Sequence, residues 1–555
     1  MKKLAIIFVL VSSLFIPNFA SATSIPDEQF TFQGPPTSDP SVGIVVQDSD
    51  FLRGSATSWQ ALETNGEIVT ATHQCHTQAD PGCQGQFPNW YIATLPRCAG
   101  EISFDCIASL GVKNADGKEL KVNYVADFPG NREWDFKADP SINLPNGGSS
   151  YIVDIPEAPH VGGTKYLVVA QMTTQREAGD AKFWAPEFQA GIFAVSTQNG
   201  SYIPSHPMTD PKVFRNYHSH TFQRVIMDHS GNFLACAQAT ETVCLMPEKM
   251  DSTLSFAMSF VFKTKVTGWL HGRVSGVEAH ISADASGNQL VTVSGNPSIV
   301  PVVYGWEKKA SLPPALAAYY AAHPNFYHEG TGFGGGGNPN EWPSVMRDSI
   351  FYDQRSMDET VLWLSAIKDT APVAPVEWSI RSMDNGSGNP CFVDASALNG
   401  IVTTNATQFL SGPPTFNQSE GTLDYKVAAP HYLPNGDVFK GTYNLVMKSS
   451  VARCLYNFTS APIHATVSIL GADGNNQVAT TVVGEKDGWL YLSANGFTFS
   501  NPTLKVKLFQ DEVKAADPSP VIAKKPVLTK QIICVKGKAS KKVTTAACPK
   551  GWKKK

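Results

Sequence analysis

The ten cysteines are the feature that most constrains how this 555-residue chain can fold. Three neighbouring pairs share one spacing, with seven residues between the two cysteines. An even number of cysteines at short, regular spacings is typical of disulfides formed outside the reducing cytosol. Structural zinc prefers cysteines about two to four residues apart, and no pair has that spacing. Spacing leaves connectivity open, and we predict sequential pairing: Cys75–Cys83, Cys98–Cys106, Cys236–Cys244, Cys391–Cys454 and Cys534–Cys548.

The N-terminus has the parts of an export signal peptide. Lys2 and Lys3 precede an almost uninterrupted apolar run of 13 residues, and Ala20 and Ala22 form a small-residue cleavage pattern. A membrane-spanning helix needs about 20 apolar residues, so the run is too short to be an anchor. We predict a signal peptide at 1–22 and a mature chain without a transmembrane span.

Most of the remaining chain has the pattern of β-strands joined by glycine-containing turns. Asp or Asn shortly before Gly, between alternating apolar residues, predicts hairpins at 112–122, 227–234, 281–291 and 467–480. Helix is scarce. Pro314 opens a predicted helix at 315–322 with Ser311 as its cap, and 356–364 is either a second short helix or a strand. The expected fold class is mainly β, with antiparallel, sandwich-like domains braced by disulfides.

The predicted domain organisation follows from these patterns and from the cysteines. One β domain is expected at 23–215 and a second at 216–510, because a Cys391–Cys454 bridge discourages a boundary between its two ends. A linker rich in Pro, Lys and Ala is expected at 511–533. The flexible basic tail at 534–555 is closed by its own pair of cysteines.

Charge is divided unevenly along the chain. Residues 524–555 carry 11 lysines and no acidic side chain, whereas 23–523 carry 31 basic against 48 acidic side chains. A basic block after a linker binds polyanions with salt-dependent strength, and for an exported protein these are wall polymers, anionic glycans or phospholipid headgroups. A solvated tail, or one folded back on the acidic chain, is the alternative. Nucleic acid is not an expected partner.

A candidate ligand surface lies in the segment 319–363, which holds nine aromatic residues beside a glycine-rich loop. Tyr327, Trp342 and Tyr352 are the candidate glycan- or protein-binding residues, because flat rings present large contact areas to a ligand. The alternative is that the rings fill a core. The same segment contains five acids: Glu341, Asp348, Asp353, Asp358 and Glu359. Paired carboxylates hydrolyse glycosides, so an extracellular carbohydrate-active hydrolase is a second hypothesis.

Metal binding is a third hypothesis. His218 and His220 lie two residues apart, so a strand would place both rings on one face, where a divalent metal could bind. Ordinary strand histidines are the alternative. Motifs of nucleophilic catalysis are absent from the sequence, and no catalytic residue or cofactor is predicted.

Several motifs resemble a group of large secreted actinobacterial proteins with a Cys/Lys-rich C-terminal tail. They lie at 300–306, 451–456, 487–490 and 533–554. The resemblance implies export and residence at the cell surface or wall, and it carries no activity. The charge division and the absence of catalytic motifs favour an exported, non-catalytic protein of the cell surface over the hydrolase and the metal-binding module.

Overall fold

A computed structural model describes the chain in these ranges: 27–31, 39–47, 57–65, 68–130, 132–202, 226–227, 233–234, 236–323, 330–333, 344–348, 353–383, 389–392, 397–470, 476–477, 480–499, 503–510 and 531–555. The chain divides into two compact units, Met1–Phe509 (the main unit) and Gln510–Lys555 (the tail unit). The predicted signal peptide at 1–22 lies outside the described residues, as does 511–530 of the predicted linker.

Strands make up most of the described main unit. The first half has β1 Ser41–Val46, β2 Ser58–Asn65, β3 Ile68–Gln74, β4 Asn89–Thr94, β5 Cys106–Lys113, β6 Asn123–Phe128, β7 Ser150–Asp154, β8 Lys165–Arg176, β9 Glu187–Asn199, β10 Ile226–Met227, β11 Phe233–Leu234, β12 Gln238–Ala239, β13 Val243–Glu248, β14 Ser255–Phe262, β15 Gly268–Gly272 and β16 Val274–Ala283. The second half has β17 Gln289–Ile299, β18 Val303–Lys308, β19 Gly330–Phe333, β20 Ser344–Asp348, β21 Val376–Met383, β22 Leu398–Thr404, β23 Gln408–Phe409, β24 Thr415–Asn417, β25 Thr422–Ala428, β26 Lys440–Lys448, β27 His464–Leu470, β28 Asn476–Gln477, β29 Thr480–Lys486, β30 Trp489–Thr498 and β31 Thr503–Phe509.

Helices are few in the described residues. They are α1 Pro314–Ala322, α2 Gln354–Ala366 and α3 Ser449–Tyr456, with 3-10 turns at Asp27–Gln29, Pro140–Ile142 and Lys309–Ser311. The predicted mainly β, antiparallel fold with little helix is therefore confirmed.

Nineteen strands join in one hydrogen-bonded network, and most of their pairings are antiparallel. Long-range pairs hold it together: β5 pairs with β14, and β9 pairs with both β13 and β21. Strands from either side of residue 215 thus share one network. A smaller sheet contains β1, β18, β19 and β20, and a third contains β23, β25, β27, β28 and β31 with β24 at its side.

The predicted hairpin at 281–291 shows how local sequence directs the strands. The Asp284 carboxylate accepts hydrogen bonds from the backbone N–H groups of Ser286 and Asn288, and Gly287 has a φ of +79°. A side-chain acceptor and a residue that tolerates positive φ are what a tight turn requires. The turn joins β16 to β17, which pair antiparallel as predicted. The described residues that flank the other predicted turns are also paired antiparallel.

The helix predictions are partly corrected. α1 confirms the helix at 315–322, but Ser311 does not cap it. Ser311 belongs to a separate 3-10 turn, and Pro313 occupies the cap position without a side-chain hydrogen bond. The prolines hold this stretch extended, which keeps the serine away from the helix. α2 resolves the ambiguity at 356–364 in favour of a helix, because Asp353 caps it by accepting from the Ser356 N–H.

All five predicted disulfides are present with sequential connectivity. Their Cα–Cα separations run from 5.1 to 5.9 Å, which is the usual range for bridged cysteines. The described chain has no free cysteine. Cys391–Cys454 ties the segment before β22 to α3, across a sequence separation of 63.

Three large apolar clusters form the core of the main unit. The first lies among β2, β4, β8, β9, β14 and β17, around the buried Trp59 and Trp378. The second lies between β22, β25, β26, β30 and β31, around Trp269 and Tyr443. The third lies where α1 and α2 cover the sheet of β1, β18 and β20, around Trp363.

Candidate polyanion-binding surface

The candidate ligand residues Tyr327, Trp342 and Tyr352 all lie outside the described residues. Tyr320 and Trp363 of the same segment belong to the third core cluster instead, and Tyr319 packs against it. Tyr320 and Trp363 are 4% and 0% exposed. The Trp363 indole N–H donates to the Tyr320 hydroxyl at 2.8 Å, which is the kind of partner a buried indole requires. For these two rings, the core interpretation is the one that the structure supports.

The acids of this segment that the structure describes have structural partners. Glu359 is fully buried, and the guanidinium of Arg347 donates to it from Nε and Nη2 at 3.0 Å each. The Tyr320 hydroxyl also donates to Glu359, at 2.7 Å. Burial raises the pKa of Tyr320, and the Glu359 carboxylate raises it further, so this hydroxyl remains a donor. Glu359 therefore anchors α2 to β20 rather than facing a groove.

The other acids differ in exposure. Asp353 caps α2, and Asp358 accepts a hydrogen bond from the Gln354 amide on the helix surface. Glu341 and the side chain of Asp348 lie outside the described residues. The described carboxylates of 319–363 thus have partners in or next to α2: Asp353 caps the helix, Asp358 accepts from Gln354, and Glu359 pairs with Arg347.

The metal hypothesis concerns residues that the structure does not describe, because His218 and His220 fall in the gap 203–225. Within the described ranges, no group of three His, Cys, Asp or Glu side chains is placed to hold a metal ion. No helix in those ranges combines the length and apolar character needed to cross a membrane.

The lysine-rich C-terminus forms a small sheet in the tail unit. Its strands are β32 Ile532–Lys536, β33 Ala539–Val543 and β34 Lys553–Lys554, with β32 in the centre. Gly537 has a φ of +57° in the tight turn between β32 and β33. The Cys534–Cys548 bridge ties the central strand to the loop that leads to β34. A bridge and a tight turn hold together a sheet that is too small to bury a large core.

The inner face of this tail sheet carries its own small core. Cys534 is fully buried, and the register places Lys541 and Lys554 on either side of it. The half-buried Trp552 lies beside them, with the Lys541 Nζ 4.9 Å from the centre of its ring. An ammonium over an indole face is a cation–π contact, so one lysine of this face is already engaged within the sheet.

The outer face has a different composition. Ile533 and Val535 point there from the central strand, since side chains alternate along a strand. Lys542 lies opposite Ile533, and Lys553 lies opposite Val535. Lys555 donates its backbone N–H to the Ile533 carbonyl and follows the same alternation. The outer face is therefore a strip of two aliphatic residues, the exposed Ile533 and the half-buried Val535, flanked by three lysines.

The sequence revealed the lysines but not their division between two faces. The signal was available in part: each lysine pair, 541–542 and 553–554, must split across a strand because side chains alternate. Only the burial of Cys534 and Trp552 shows which face of the sheet packs as a core and which face does not.

Comparison with protein-family models found no match to the chain, and no curated protein matched its sequence. The resemblance to secreted actinobacterial proteins stays a prediction. A function must therefore be argued from the geometry and charge of the described residues.

Proposed function

We propose that the chain is an exported, non-catalytic protein of the cell surface that is retained by an anionic envelope polymer through its lysine-rich tail unit. The observation that carries this proposal is the tail sheet. Residues 531–555 present eight lysines and no acidic side chain, and every one of those lysines is exposed. Clustered cations without internal counter-charges attract polyanions, and the attraction is screened by salt.

The disulfides support the export part of the proposal. Five bridges and no free cysteine in the described chain are typical of proteins from oxidising compartments. The acids near α2 favour the non-catalytic interpretation over the hydrolase, because Glu359 is committed to Arg347 and Asp353 to a helix cap.

Retention can be tested by comparing the full chain with a chain that ends at residue 523. Both are expressed in the native host and fractionated into envelope and medium. We expect the full chain in the envelope fraction, eluting as NaCl rises toward about 1 M, where the screening length falls to roughly 3 Å. The truncated chain should appear in the medium. Equal retention of the two chains, together with salt-resistant binding of the full chain, would refute the proposal.

The matched control keeps the length of the tail and removes only its charge. A variant with all eight lysines of 531–555 replaced by glutamine retains Cys534, Cys548 and Trp552. It should enter the medium like the truncated chain. If it stays in the envelope, the retention does not depend on these eight lysines.

A further inference from the structure

The tail sheet offers its lysines on two chemically different faces, and only one of them suits an extended ligand. On the inner face, Lys541 lies over the Trp552 ring beside the buried Cys534. A ligand on the inner face would have to displace Lys541 from the Trp552 ring, and it would lie against the buried Cys534. On the outer face, Lys542 and Lys555 lie on either side of Ile533, which is 38% exposed, and Lys553 lies opposite Val535.

The spacing of the outer lysines follows from strand geometry. Lys553 and Lys555 are two residues apart on one edge, so their Cα atoms are separated by roughly 6.7 Å, twice the rise of a strand. Lys542 lies on the opposite edge, and its Cα is about 10 Å from that of Lys555, or two inter-strand distances. Three cations thus border a narrow strip whose floor is Ile533 and Val535.

The chemistry of this strip discriminates among polyanions. Residues 531–555 contain one aromatic residue, Trp552, and it lies on the inner face, so the outer face has no flat ring to stack on a sugar. They contain no arginine, so the fork that binds carboxylates through two parallel hydrogen bonds is missing. Lysine acts as a point charge and binds phosphate well. The aliphatic floor suits carbon spacers between the charges.

We infer that the outer face of the tail sheet, formed by Ile533, Val535, Lys542, Lys553 and Lys555, binds a linear phosphodiester polymer with aliphatic spacers. This inference rests on the proposed function, because it names the class of polymer and the face that the tail unit uses. The polymer lies along the strip with its phosphates against the three lysines and its carbon segments over the two aliphatic side chains.

The alternation of side chains supplies a test in which the net charge is matched. In the full-length protein, Lys542→Gln/Lys553→Gln removes two charges from the outer face, and Lys541→Gln/Lys554→Gln removes two from the inner face. Binding to poly(glycerol phosphate) is measured by calorimetry at several salt concentrations. We expect the outer-face variant to bind about tenfold more weakly and its log K against log[salt] slope to flatten by about 1.4, or 0.7 for each lost contact. The inner-face variant should bind nearly as the wild type does.

The ligand class is tested with heparin, polygalacturonate and phosphatidylglycerol vesicles at equal charge. Weaker binding of all three than of poly(glycerol phosphate) supports the phosphodiester assignment, and preference for any of them overturns it. Equal weakening by the two double variants overturns the assignment of the face while leaving charge-based retention intact. Binding that survives in both variants and in the chain ending at 523 overturns the proposed function as well.

Discussion

The buried pair of Arg347 and Glu359 should respond very differently to losing one partner and to losing both. Their side chains are 2% and 0% exposed, and Glu359 accepts two hydrogen bonds from Arg347 and one from Tyr320. Glu359→Gln keeps the volume of the side chain and removes its charge. The guanidinium then remains buried without the carboxylate that receives its Nε and Nη2 protons.

The expected cost follows from these contacts. Hydrogen bonds to charged groups contribute about 1.5–3 kcal/mol each, and breaking a buried ion pair from one side costs about 3–5 kcal/mol. We therefore expect Glu359→Gln to lower the free energy of unfolding by about 4 kcal/mol. Arg347→Met/Glu359→Leu removes both charges, so its stability should lie within about 2 kcal/mol of the wild type.

The assay must report on α2 itself, because a chain of this size need not unfold in one step. Hydrogen exchange of the amides in Gln354–Ala366 gives the local opening free energy, and urea unfolding with the disulfides intact gives the global one. A cost below about 1 kcal/mol for Glu359→Gln, or a double variant less stable than the single one, would refute the reasoning.

Three further predictions test the disulfides, a buried carboxyl group and a close packing contact. Replacing Cys391 and Cys454 by alanine should cost about 4 kcal/mol of unfolding free energy, since their sequence separation of 63 closes a long loop. Burial raises the pKa of Asp135 to about 6, so the carboxyl group opposes folding once it ionises. As the pH rises from about 4 to 6, the free energy of unfolding of the wild type should fall relative to that of Asp135→Asn. Above about pH 6 the difference between the two proteins should stay constant. Gly400→Ala should destabilise by about 1–3 kcal/mol, because its Cβ would lie against the Trp269 ring.

The disulfide and glycine predictions have matched controls, and the Asp135 prediction has a result that would contradict it. Replacing Cys75 and Cys83, whose separation is 8, should cost only about 2.5 kcal/mol, and an equal cost for both bridges would contradict the loop argument. Gly484→Ala adds a methyl group where no atom lies within 4 Å, so it should leave thermal stability unchanged. An Asp135→Asn stability profile parallel to that of the wild type from pH 4 to 6 would contradict the burial of this group.

The candidate sites show where reasoning from the sequence reached its limit. The sequence shows that aromatic and acidic residues are concentrated in 319–363, but the same residue types can line a groove or fill a core. A buried chain of hydrogen bonds joins Trp363, Tyr320 and Glu359. Burial of the Glu359 carboxylate is possible because Arg347, on β20, neutralises its charge. Arg347 is 12 residues from Glu359 in the sequence, and no local sequence pattern predicts that the two side chains pair.

The sequence by itself determined the features that depend on neighbouring residues. The turn at Asp284 and the helix opened by Pro314 follow from side chains within a few residues of one another. The cysteine spacing indicated disulfides but left their connectivity open, and the structure shows it to be sequential. The division of charge between residues 23–523 and the lysine-rich end at 524–555 also follows from the sequence alone. Tertiary structure alone decided that β5 pairs with β14 and β9 with β21, and that Lys542 faces outward while Lys541 covers Trp552. The physical reason is that turn formation and side-chain alternation depend on neighbouring residues. Which face of a strand is buried depends on contacts with strands that are distant in the sequence, so it is decided only when those strands pack together.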